Sequence, residues 1–142
     1  MTSDPVAVTR AATVGALGAL AVLHAAWGRG ATFPFPDRDG LNDMVVGRRT
    51  TPSPAACFAV AGALTTAAAL VADVPRMPRL VQRIGVSGVA AVLVTRAALG
   101  FAGRTDLASP GSVSSRFRRL DRRIYSPLCL ALAAGALSSR RP

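Results

Sequence analysis

The sequence predicts an all-α protein, a four-transmembrane-helix bundle made of two repeated helix-loop-helix units related by pseudo-symmetry. Three observations carry that expectation. Half of the 142 residues are hydrophobic (51%) and few are aromatic (5%), the apolar part being mostly Ala, Leu, Val and Gly. Such a mixture favours helix, and its small residues suit close helix contacts in lipid. The charges gather between four apolar runs, and the second and fourth runs show no polar stripe of the kind a surface helix carries. The third observation is internal likeness. His24-Ala-Ala-Trp-Gly28 is echoed by Arg96-Ala-Ala-Leu-Gly100 at an offset of 72 residues, and the same offset carries Cys57 onto Cys129. Ser53-Pro54 before the first cysteine matches Ser126-Pro127 before the second. A repeat of this kind marks a supersecondary unit that buries its face against its own copy.

Residues 1–142 read as a single membrane domain, with spans over about 11–28, 54–72, 84–103 and 124–139. The first run lies between Arg10 and Arg29 and holds no formal charge. It resembles a signal peptide in position, but the repeat makes it the partner of the third run, so it is read as retained. The second uncharged run, Thr50 to Ala72, is 23 residues long; the third is broken only by Arg96; the fourth has 16 residues and ends on Arg140-Arg141. A spanning helix needs about 20 apolar residues. Two runs reach that length with ease, and two need their polar ends at the interface.

The connections are uneven. Residues 29–53 and 104–123 form long polar loops on one face, whereas 73–83 is short, with Pro75 and Pro78 to stop the chain. Ten arginines fall on the long-loop face and six on the face with both termini. The raw count puts the long loops in the cytoplasm. Arginines kept for a site would distort that count, so both orientations stay open. All 17 basic residues are Arg and all seven acids are Asp, for a net charge of +10. A nucleic-acid partner is not expected: there is no basic helix face and almost no aromatic interleaving. The arginines read as membrane flanks that hold helix ends at the headgroups.

Five side chains form a candidate polar site under the long loops: His24, Trp27, Arg96, Asp121 and Tyr125. An ionisable residue inside a span is a functional candidate because its charge is costly to bury. The bland alternative for His24 is a neutral ring bonded to a nearby carbonyl. Arg96 cannot discharge, so it either snorkels to the headgroups or meets a partner across the bundle. Asp121 and Tyr125, four apart, share a face if helix begins before them. Asp121 is the candidate counter-charge to Arg96, and the Tyr125 hydroxyl a donor into the cavity; otherwise the two are a capped helix start with an interfacial anchor. Cys57 and Cys129 are read as structural thiols, a disulfide being the alternative. Asp37 to Asp43 has the acids of a calcium loop but lacks its closing Glu, Arg48 standing in that place. No metal site and no cofactor are expected. The chain has one His, which rules out a bis-histidine haem within a monomer, and no phosphate loop or nucleophile elbow.

Two motifs give the chain a likeness. His24-x-x-Trp27-Gly28-x-Gly30 ends the first run, and Phe117-x-x-x-Asp121-x-x-x-Tyr125-Ser126-Pro127-Leu128-Cys129 leads into the last. With them the chain resembles, over nearly its whole length, a bacterial membrane family known as domain of unknown function 3995. The resemblance implies a small four-helix integral protein of the bacterial inner membrane and no established activity. The reading that follows is a multi-pass protein whose polar site takes a lipid headgroup or small amphiphile, membrane lipid being the partner. Whether it also catalyses is left open, His24 being the side chain able to trade protons near neutral pH. The alternative is a structural or accessory subunit, acting through helix contacts such as Gly15-x-x-x-Ala19 with a second copy or another membrane protein.

Overall fold

The computed structural model describes residues 4–107, 110–111 and 114–140; Arg141, at the end of the last apolar run, lies outside them. The described residues are all-α and contain no strand. Six helices follow one another: α1 (Pro5–Gly28), α2 (Arg38–Leu41), α3 (Pro54–Ala72), α4 (Arg79–Phe101), α5 (Ser115–Leu120) and α6 (Ser126–Ser138). Wider π turns continue α2 over Asn42–Val46 and join α5 to α6 over Asp121–Tyr125.

Local chemistry sets these ends. α1 starts six residues before the uncharged run it contains, because Asp4 accepts the Val6 N–H at 3.0 Å and Pro5 occupies the first turn, where its missing N–H costs nothing. Ser53 caps α3 in the same way, accepting the Ala56 N–H at 3.2 Å ahead of Pro54. α4 begins just after Pro78 and ends before Gly103, whose φ of 68° turns the chain away. The last apolar run behaves differently. Pro127 has no N–H for the Arg123 carbonyl, and the helix widens into the π turn over those residues before narrowing to α6.

That interruption changes the count of spans. α1, α3 and α4 are each long and apolar enough to cross a membrane. The fourth expected span, 124–139, is not a clear equal: α6 has 13 residues, about 20 Å of helix. Only 17%, 28% and 22% of the apolar windows of α1, α3 and α4 are buried, and Val22, Val92 and Ile84 are 70%, 69% and 63% exposed. Surfaces of that kind suit lipid and would be costly in water.

α1 packs chiefly on α3, and α4 chiefly on α6, with lesser contacts from α1 to α6 and from α3 to α4. One apolar cluster takes residues from all four: Leu17 from α1, Val71 from α3, Val86 from α4 and Ala136 from α6 are completely buried. Small residues bring the axes close. Gly135 of α6 lies against Thr13 of α1, where any added Cβ would overlap the threonine hydroxyl. In lipid such contacts, rather than hydrophobic burial, hold helices together.

Candidate functional site

The five residues singled out from the sequence fall in three places. The first is a buried ion pair. Arg96, near the end of α4, presents Nη2 to Asp121 Oδ1 at 2.8 Å and Nη1 to Oδ2 at 3.3 Å. Asp121 is fully buried and the Arg96 side chain 28% exposed. Thr105 Oγ1, in the turn after α4, donates to Oδ2, and Ser126 Oγ donates to Oδ1 at 3.4 Å. Gly100 lets α6 approach: a Cβ there would stand 2.9 Å from each carboxylate oxygen and overlap the Ser126 hydroxyl. Both carboxylate oxygens of Asp121 are therefore engaged, and the bidentate fork gives the pair fixed geometry. Chemically this is a satisfied carboxylate, with its charge neutralised inside the helix packing.

The second place is a clamp between the long loops. Because the π turn rotates the chain, Asp121 faces α4, while the Tyr125 hydroxyl donates to the Met44 carbonyl of the first loop at 3.0 Å. The hydroxyl is spent there rather than on a cavity shared with Asp121. Ser114 bonds the same loop twice, its N–H to the Gly47 carbonyl at 3.0 Å and its Oγ to Asp43 at 2.5 Å, and Arg116 reaches Asp43 at 3.3 Å. Phe117, 2% exposed, packs under Gly47, whose φ is 74°. A Cβ at Gly47 would meet that ring at 2.5 Å, so the position requires glycine twice over. Two acids of the first loop are thus used internally: Asp43 holds the second loop and Asp37 caps α2 through the Gly40 N–H at 2.8 Å.

The third place is at the end of α1. His24 Nδ1 lies 2.8 Å from the Leu20 carbonyl, and its ring meets Trp27 edge-on at 4.9 Å between centroids. The Trp27 indole N–H donates to the Phe33 carbonyl at 2.7 Å, which pins the first loop. Trp27 lines a small, partly open space of ≈ 20 Å³ with Ala31, Leu41, Val46 and Cys57 among its walls, about one water in size. Beside it is a shallow cleft of ≈ 400 Å³ walled by Trp27, Arg29, Gly30, Arg38, Thr51 and Ser53. Neither space is lined by Arg96, Asp121 or Tyr125. The Arg29 guanidinium rests over the Phe58 ring at 5.6 Å. Arg38 lies against Gly30, where a Cβ would come 3.2 Å from its Nη2 and where φ is 95°. Among the described residues neither arginine has an acidic partner. The cleft also opens at the first turn of α3, the positive end of its dipole.

With this geometry in place, a comparison with known families decides the kinship. The model of the family described as "Protein of unknown function (DUF3995)" matches residues 17–136. The chain belongs to that family. No curated protein and no solved structure matches it. In this DUF3995 chain, the two motifs noted in the sequence coincide with the three places just described. His24 to Gly30 builds the end of α1, and Phe117 to Cys129 builds the ion pair and the loop clamp.

Among the described residues no group of His, Cys and Asp side chains could hold a metal ion. Cys57 and Cys129 are free thiols, Cys57 buried and its Cβ 3.2 Å from where a Gly28 Cβ would stand. Sequence reasoning missed Thr105 and Gly100 at the ion pair and Arg29 and Arg38 at the cleft. Gly100 did leave a signal, one helical turn from Arg96. The two arginines left none, because they look like any other loop arginine until the chain folds.

Proposed function

We propose that this is a four-span membrane protein, with α6 and the π turn before it as the fourth span, which binds an anionic lipid headgroup at the end of α1. The observation that carries the reading is the pair of guanidinia without an acidic partner among the described residues, Arg29 and Arg38, that line a cleft with Trp27. Guanidinium forks suit phosphate, and an indole suits the level where acyl chain meets headgroup. Phe33, 72% exposed, adds an apolar side chain to the loop that Trp27 pins. Membrane lipid is then the ligand, and the bacterial inner membrane its setting. Of the original five residues, Trp27 lines this site, His24 buttresses it, and Arg96, Asp121 and Tyr125 serve the scaffold. The apparent repeat in the sequence would give two pseudo-symmetric halves, of which one keeps a ligand cleft and the other an internal ion pair; Gly28 and Gly100 both stand at close approaches, though to different partners.

Trp27 is the single tryptophan and reports on its own surroundings. Its fluorescence in detergent-purified protein is expected to shift saturably with short-chain phosphatidylglycerol and far less with phosphatidylcholine. Arg29→Ala with Arg38→Ala is expected to abolish the difference. Equal responses to both lipids, or an unchanged response in the double variant, would refute the site.

A second reading, a structural or accessory subunit, is favoured by one observation. Gly15 has open space beyond it, in line with exposed Ala12 and Ala19, so α1 offers a small-residue face to another helix.

A further inference from the structure

The helical stretch Ser115–Ser138 presents a conflict between length and charge. α6 by itself covers about 20 Å, short of the roughly 30 Å hydrocarbon core, and the five residues of the π turn bring it close to that thickness. Taking in the π turn means taking in Asp121, a carboxylate that no isolated span would carry willingly. Upstream and beside it stand Arg116, Arg118, Arg119, Arg122 and Arg123, residues that favour the headgroup layer. Read alone, the stretch is a basic surface helix with a short apolar tail.

The structure removes the conflict in one contact. Arg96, itself an unwelcome charge in the third apolar run, reaches Asp121 with both terminal nitrogens at 2.8 and 3.3 Å. Thr105 and Ser126 complete the shell, and Gly100 gives the two helices room to close. Arg122 remains exposed, its guanidinium against Gly103 just past the end of α4, where the chain leaves the bundle.

We infer that Arg96 is the insertion receptor for the fourth span: the Ser115–Ser138 stretch crosses the membrane only by docking Asp121 onto Arg96 of α4, the two charges entering as one neutral unit. This rests on the four-span placement and is independent of the Arg29/Arg38 cleft. Both costly charges sit in the second half of the molecule, Arg96 in α4 and Asp121 in the π turn before α6, so insertion of α6 waits on α4. The device makes topology conditional, since loss of either charge leaves the other without compensation.

The test uses single cysteines in full-length protein with Cys57→Ser and Cys129→Ser, labelled in intact and permeabilised cells with an impermeant maleimide. Met77→Cys and Gly111→Cys mark the two faces, and Ser138→Cys marks the end of α6. In otherwise unaltered protein Ser138→Cys is expected to label with Met77→Cys. With Arg96→Leu, Asp121 is left uncompensated, and labelling of Ser138→Cys from the Gly111 side is expected to rise on the order of tenfold or more. Arg96→Leu with Asp121→Leu, and the swap Arg96→Asp with Asp121→Arg, are expected to restore the original side. Retention of the original side in Arg96→Leu would overturn the inference while leaving four spans intact, and so would failure of the apolar double variant to restore it. Labelling of Ser138→Cys with Gly111→Cys in unaltered protein would overturn the four-span placement itself, and the inference with it.

Discussion

Gly88 and Gly100 lie on the same helix and differ in what faces them. Nothing stands within 4 Å of a Cβ at Gly88, whereas at Gly100 it meets the Asp121 carboxylate and the Ser126 hydroxyl. Alanine is the better helix former by up to about 1 kcal/mol. Gly88→Ala is therefore expected to leave the detergent melting temperature unchanged or to raise it. Gly100→Ala is expected to lower it, since overpacking of this kind costs about 1–3 kcal/mol. A comparison of the two melting curves checks this, and equal effects would mean that α4 and α6 are not in close contact there. The residue scale is also where the sequence was most informative about the ion pair. Two opposite charges in apolar surroundings have few ways to be satisfied, so the sequence offers Asp121 as candidate counter-charge to Arg96. Their helpers were not legible. Thr105 and Ser126 are ordinary polar residues until the turn after α4 and the start of α6 bring them to the same carboxylate.

At the scale of elements, the clamp between the two loops is the feature with a measurable consequence. Tyr125→Phe removes one hydrogen bond to the Met44 carbonyl while keeping the ring near Phe117, 6.2 Å between centroids. A net loss of about 0.5–1.5 kcal/mol is expected. Amide exchange in the π turn at 42–46 should quicken while the middle of α4 is unaffected. Unchanged exchange would show that Ser114 and Phe117 hold the loop without the tyrosine. Loop docking of this kind cannot be read from periodicity. The partners of Ser114 and Arg116 lie 71 and 73 residues away along the chain. The π turn was equally hidden: a helical wheel puts Asp121 and Tyr125 on one face, and the wider turn sends one into α4 and the other into the first loop.

Over the whole molecule, the apolar exterior is the dominant fact. With large exposed aliphatics along α1 and α4, the chain is expected to stay with the membrane pellet through washes in high salt and alkaline carbonate, and to leave it only in detergent. Release by salt would mean that its arginines, not its helices, attach it.

The sequence by itself determined the helical class and three long apolar helices, because composition, Pro and capping residues act locally over one or two turns. It also singled out Arg96 and Asp121, whose contact spans 25 residues of chain. Tertiary structure alone decided how those residues are grouped. Whether a buried Arg binds a ligand or an internal acid depends on which side chain arrives first within about 3 Å. That distance is set by helix packing, by the glycine that allows it, and by the turn that aims the acid. For Arg96 the internal acid wins; for the exposed Arg29 and Arg38 none arrives among the described residues.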